Sequence, residues 1–200
     1  LKEAEALQIF LDTGALVDGH FLLSSGLHAG RYVAKELVYP HTTKLNSLCG
    51  AVADRFRYDD IEAVVSPVVG GVALSQWTAN HLTRMKGQEV QAFWVEKTSF
   101  KSFALLRRYA QLVAGKKVLI VDDVLTTGHS VEAVRRAVES CGASVMGIGV
   151  LWLRGEINLI MPKFFSLINC RFPVWKASEC PLCAQGIPIN TDFGRGKDSV

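Results

Sequence analysis

Two adjacent carboxylates, Asp122 and Asp123, end an apolar run and open a Thr-Thr-Gly loop in the stretch VLIVDDVLTTGHSV, residues 118–131. They are too close together to form a spaced acid/base pair. The apolar run before them predicts a buried strand, which places the acids at its tip. An ionised Asp only accepts hydrogen bonds, so its natural partners here are hydroxyl donors such as the vicinal hydroxyls of a ribose. Downstream, Thr126, Thr127 and Ser130 supply hydroxyl donors, and Gly128 permits close backbone approach to a bulky anion. A helix starting near Ser130 adds free amides and the positive end of its dipole, which suits phosphate. One loop would then grip a sugar phosphate at both ends. The competing reading is an Asx turn followed by a helix cap. The sequence contains no G-x-x-x-x-G-K-[ST], and GIGVLW lacks the last glycine of a dinucleotide fingerprint. A phospho-acceptor receiver domain also carries acids at a strand tip, but near the start of its fold; here at least two strand–helix units come first.

Those units position the loop. Leu7, Phe10 and Leu11 predict an N-terminal helix ending near Gly14 or Gly19. HFLLSSG and RYVAKELVY read as two extended pieces around a glycine turn. Leu45, Leu48, Val52 and Phe56 recur at helical spacing after a threonine cap in HTTK. IEAVVSPVVGG reads as a strand entering a Gly-Gly turn, VALSQWTANHLTRM as a helix and EVQAFWVEK as a strand. KKVLIVDD is a continuous apolar run of the kind that parallel sheets bury on both faces. SVEAVRRAVESCG is a helix stopped by Gly142, and SVMGIGVLWLR is another strand. The alternation predicts an α/β protein with an open, mostly parallel twisted sheet flanked by helices. Residues 97–114 show no clean period, and the tail after Arg154 reads as an accessory piece.

Composition bounds the function. With 200 residues, 49% hydrophobic and 20% charged, the chain can bury one core as a single globular domain. A formal charge of +3 without a long basic run argues against a nucleic-acid groove. The most apolar stretch, ASVMGIGVLWL, is about half of what a membrane span needs. The amphipathic, acidic start LKEAEALQIF does not resemble a secretory signal. Five scattered cysteines suit a reducing compartment, so a cytoplasmic location is expected. Cys180 and Cys183 form a lone C-x-x-C. A structural zinc needs four ligands and no second pair follows, so tail packing is the expectation.

VLIVDDVLTTGHS resembles the phosphoribosyl pyrophosphate (PRPP) signature of the type I phosphoribosyltransferases. The resemblance implies that Asp122 and Asp123 hold the ribose hydroxyls and that Val124, Leu125, Thr126, Thr127, Gly128, His129 and Ser130 complete the PRPP loop. Three further stretches resemble bacterial orotate phosphoribosyltransferases. HFLLSSGLHAGRYV implies Ser25, Gly26 and Tyr32 near the base. VVSPVVGGVALS implies a pyrophosphate loop using Pro67, Gly70 and Gly71. GVLWLRG places Arg154 where the family binds the orotate carboxylate, with Thr126 also at the base. The tail ECPLCAQGIPINTDFG is similar to that of one bacterial branch. On this resemblance the chain is one phosphoribosyltransferase domain, with its core at about 42–155 and a hood from about 1–41 and 156–200. The implied enzyme is a pentosyltransferase using Mg²⁺ carried on PRPP rather than by direct protein ligands, acting as a homodimer in pyrimidine biosynthesis.

The departures from the family pattern concern charge. Lys97 matches a family lysine assigned to catalysis and PRPP binding, but Glu96 replaces the arginine beside it. The rest of that loop is rich in Phe and Leu, with Lys101, Arg107 and Arg108 as its bases, and Ser24 stands where many members carry a lysine. Losing one cation from such a clamp costs roughly 10²- to 10³-fold in rate, by analogy with single oxyanion-hole donors. Two alternatives therefore stand beside orotate transfer: a PRPP-sensing binding protein without catalysis, and a transferase for a purine or uracil. For the separate motifs, SPVVGG also reads as a plain strand-to-helix turn, Arg154 as a surface charge and Tyr32 as core.

Overall fold

A computed structural model describes residues 1–99, 102–157 and 163–194. The chain runs α1 (Glu3–Asp12), β1 (Leu16–Leu22), β2 (His28–Val33), α2 (Thr42–Arg55), β3 (Ala63–Pro67) and α3 (Gly71–Lys86). It continues through β4 (Gln91–Ser99), β5 (Ser102–Leu105), α4 (Arg107–Val113), β6 (Lys117–Leu125), α5 (His129–Glu139) and β7 (Ser144–Leu153). It closes with β8 (Phe164–Asn169), β9 (Val174–Trp175) and α6 (Pro181–Ala184).

Six strands form the main sheet in the order β5-β4-β3-β6-β7-β8. All neighbours pair parallel except β4 with β5, which form an antiparallel edge hairpin. The expected open parallel sheet is therefore present. Helices cover both faces, and β6 shows how one strand serves two cores. Leu119 and Val121 join the cluster containing Leu45, Leu48, Val52 and Leu74 of α2 and α3. Val118 and Ile120 join the cluster containing Val131, Val134 and Val138 of α5. Because successive strand residues point to opposite faces, a strand buried on both sides must be apolar at every position, as this run is. α1 closes one end of the first cluster, where Phe10 meets the buried Trp152 ring edge-on at a centroid distance of 5.0 Å.

A separate three-stranded sheet, β1-β2-β9, makes the hood. Its buried core is small, formed by Phe21, Leu23 and Ala29 with Tyr32 and Phe193 packed alongside.

Four local expectations change. The second extended piece stops at Val33, and the chain winds into a 3-10 turn at Lys35–Leu37. α2 is capped by His41 without a side-chain hydrogen bond, so the threonine cap is not used. Of the aperiodic residues after Lys97, the described ones end β4 and form β5 and α4; Lys101 lies outside the described residues. The segment expected in the hood after residue 156 contributes β8, which pairs with β7 in the main sheet. Among the described residues no helix is long and apolar enough to cross a membrane.

Candidate active site

The chain leaves β3 for β4 on one side of the sheet, while β6 lies on the other side of β3. Such a switch point opens a crevice at the carboxyl ends of the two central strands. A cleft of about 190 Å³ lies there, lined by Lys35, Asp122, Asp123, Ser130, Phe103 and the Pro67–Gly71 turn.

The acids extend the alternation of β6. Ile120 faces the α5 side, so Asp122 does too, and Ser130 at the start of α5 donates to its Oδ2 at 3.4 Å. Asp123 faces the other way, toward the segment that follows β2. There Lys35 Nζ donates to Oδ1 at 2.6 Å and Tyr39 Oη donates to Oδ2 at 2.5 Å. Asp123 also accepts from the Val124 amide at 2.6 Å, and Asp122 Oδ1 accepts from the Asp123 amide at 2.8 Å. Adjacency therefore gives each carboxylate its own set of neighbours across one strand tip.

Their electrostatics differ. Burial, and then the neighbouring Asp123 charge, push the Asp122 carboxyl up to about 7, while Lys35 only partly offsets them. Burial works against the Lys35 ammonium, yet Asp123 and Asp122 together hold its pKa above the usual lysine range. Burial and the same two carboxylates push the Tyr39 hydroxyl pKa up, so it stays a protonated donor. Lys35 and Tyr39 were not found from sequence. Their partner lies more than 80 positions away, and no local pattern marks them.

The loop after β6 turns on Gly128, which has φ of 80° and caps α5. The first amides of α5 have no partner within the helix, and Thr127 and His129 flank them with a 3.0 Å side-chain contact. On the β3 side, Pro67, Gly70 and Gly71 line the cleft, and the Val68–Val69 peptide is cis. A Cβ on Gly70 would lie 2.2 Å from Tyr39 Oη, and one on Gly71 would lie 2.8 Å from Ser66 Cβ. The two glycines thus let the turn close against Tyr39 and β3.

Arg154 follows β7 and is held beside the acid loop. Its amide donates to the Leu125 carbonyl at 2.8 Å, and a Cβ on the next residue, Gly155, would lie 2.0 Å from the Thr126 carbonyl oxygen. Burial pulls the guanidinium pKa down, with only the Tyr32 hydroxyl opposing it. Among the described residues no carboxylate forms an ion pair with it. Tyr32 is half-buried between Phe21 and Phe193, with ring centroids at 5.5 and 5.8 Å. Ser25 and Gly26 form the tip of the β1–β2 hairpin.

Lys97 is exposed on β4 and does not line the cleft itself. Its cross-strand partner, Phe103, does. Directly opposite residues share a face of the sheet, so Lys97 stands at the rim beside Phe103.

A parallel sheet with a dicarboxylate strand tip, a hydroxyl-rich loop and a helix start at its switch point defines the phosphoribosyltransferase class. A phosphoribosyl transferase domain profile matches residues 47–164. The orotate phosphoribosyltransferase of Desulforamulus reducens is 36% identical over 190 residues, covering 94% of this chain and 95% of that protein. That of Pelotomaculum thermopropionicum is 37% identical over 186 residues, covering 92% and 93%. The fold also matches the crystal structure of Mycobacterium tuberculosis H37Rv orotate phosphoribosyltransferase in complex with Fe(III) dicitrate. There the TM-score is 0.64 at 22% identity, over 83% of this chain and 95% of that one. The chain belongs to the orotate phosphoribosyltransferase family.

Proposed function

We propose that this chain acts as a single phosphoribosyltransferase domain that transfers ribose 5-phosphate from PRPP to orotate. The products are orotidine 5′-monophosphate and pyrophosphate, a step of pyrimidine nucleotide synthesis. The observation that carries the choice of base is Arg154: a desolvated guanidinium, on backbone held against the acid loop, with no carboxylate partner among the described residues. A guanidinium fork pairs with a planar carboxylate in two parallel hydrogen bonds, and orotate brings that carboxylate.

The ribose hydroxyls donate to Asp122 and Asp123, and the amides and hydroxyls from Thr126 to Ser130 wrap the 5-phosphate. When the C1–oxygen bond to pyrophosphate breaks, positive charge develops on the ribosyl ring and the base nitrogen closes on C1. Two preorganised carboxylates under that ring favour the charged transition state over the neutral sugar. Lys35 neutralises part of the carboxylate charge and stands in the same cleft. Its ammonium supplies, from the hood, a cation in place of the arginine that Glu96 replaces, with Lys97 assisting at the rim. The turn from Pro67 to Gly71 brings backbone to the pyrophosphate.

Mg²⁺ fits this donor set only in part. Both Asp123 oxygens and Asp122 Oδ1 already accept hydrogen bonds, which leaves Asp122 Oδ2 with one long contact. A hard cation needing six oxygens would therefore take most of them from PRPP and water. When bound, Mg²⁺ offsets the charge of the leaving pyrophosphate. We further propose that the working form is a homodimer.

The test is product formation from orotate and PRPP with Mg²⁺, followed by ultraviolet absorbance. Orotate should turn over and purines should not. Arg154→Ala should raise the KM for orotate about 10- to 100-fold, the worth of a charge-assisted hydrogen bond. Turnover with a purine but not orotate would reject the base assignment. PRPP binding without any turnover would leave a sensor.

A further inference from the structure

The structure answers the question of the C-x-x-C in the tail differently from the sequence. No second ligand pair follows Cys180 and Cys183, but one precedes them. His20 and His28 of the β1–β2 hairpin meet both cysteines, Cys180 lying 160 positions from His20. One ligand atom from each of the four residues lies within 4.8 Å of all the others. We propose that these four side chains form a structural zinc site that clasps the hood hairpin to the C-terminal tail.

The geometry carries the proposal. Tetrahedral zinc with N and S ligands at about 2.0–2.1 and 2.3 Å requires ligand atoms roughly 3.3–3.8 Å apart. Cys183 Sγ lies 3.3 Å from His28 Nδ1 and 3.7 Å from His20 Nε2, and Cys180 Sγ lies 3.5 Å from His20 Nε2. Among these four pairs, the two ring nitrogens, 2.7 Å apart, must separate slightly. His20 Nδ1 faces the Ile187 carbonyl oxygen at 2.7 Å. A carbonyl oxygen only accepts, so the proton resides on Nδ1, and Nε2 presents its lone pair to the cluster. An outer hydrogen bond of this kind commonly fixes the tautomer of a metal-ligating histidine. His20, His28 and Cys180 are buried, and Cys183 is exposed at the mouth. Two thiolates and two imidazoles in a tetrahedral arrangement select zinc over the hard cations.

The hood also has a physical need for such a clasp. Its buried core is three residues, and β9 adds a strand of two. Units this small usually require a metal or a disulfide to hold their shape. Beyond the cluster, the tail is tied to β1 by the Asn190 amide, which donates to the His20 carbonyl at 2.7 Å. Fixing the hairpin also fixes Tyr32 and the chain that leads to Lys35.

The test uses untagged protein purified under reducing conditions without chelators. Elemental analysis should find about one zinc per chain. Cobalt in its place should give thiolate-to-metal charge-transfer absorption. Cys183→Ser, at an exposed position, should keep its far-ultraviolet circular dichroism but lose the zinc and the cobalt band, and its Tm should fall by several degrees. A strong chelator should lower the wild-type Tm, and Zn²⁺ but not Mg²⁺ should restore it. Wild-type protein that carries substoichiometric zinc and takes up none when Zn²⁺ is added would overturn the proposal, as would Cys183→Ser protein that retains a full equivalent.

Discussion

At the scale of single residues, Asp122 is a carboxylate under tension. It is buried, beside another carboxylate, and Lys35 answers mainly Asp123. Its folded pKa of about 7 lies above the ordinary 3.8 of a carboxyl. Between those values the folded state binds the extra proton, so stability falls as pH rises from about 4 to 7. The cost is fully present above pH 7 and absent below pH 4. Asp122→Asn removes the charge and keeps the shape. In thermal melts it should therefore be more stable than wild type at pH 8, by about 2–4 °C for each kcal/mol relieved, and the gap should close by pH 4. An Asp122→Asn protein less stable than wild type at pH 8 would show that Asp122 is held as a stabilising anion instead. In the proposed reading, the ribose hydroxyls complete this strained site.

At the scale of elements, the acid loop was legible because its information is local. Strand, acids, hydroxyls, glycine and helix follow one another within 14 residues, and each fixes the next. Gly128 is the hinge. A side chain there at φ of 80° meets the steric cost of the left-handed region, about 1–2 kcal/mol. Gly128→Ala should lower the unfolding free energy by about that amount in denaturant titrations, and should weaken binding of inorganic phosphate by tilting the first amides of α5. An unchanged phosphate affinity would separate α5 from the anion. The elements missed in sequence owe their existence to distant partners. β8 is a strand because β7 offers it an edge, and β5 is a strand because β4 offers it another. Neither carries a strong period of its own.

At the scale of the whole molecule, two units of unequal strength meet over the cleft. The main sheet is buried on both faces by two apolar clusters, whereas the hood has a minor core and a four-ligand cluster. The hood nevertheless supplies Lys35 and Tyr39 to Asp123 and Tyr32 to the surroundings of Arg154. Sequence reading found what the core strands carry and Tyr32 of the hood, but missed Lys35, Tyr39 and the histidines, because pairings such as Lys35 with Asp123 and His20 with Cys180 exist only after the chain has folded back on itself. The lone C-x-x-C looked incomplete for the same reason. Calorimetric titration of PRPP with Mg²⁺ tests the central claim, that the strand tip and the loop behind it grip opposite ends of one activated sugar, most directly. Wild-type protein should bind saturably with one site per chain, and Asp122→Asn should bind about 10- to 100-fold more weakly, the worth of a hydrogen bond to a charged group. A wild-type chain that binds no PRPP, or an Asp122→Asn chain that binds it equally well, would contradict the account.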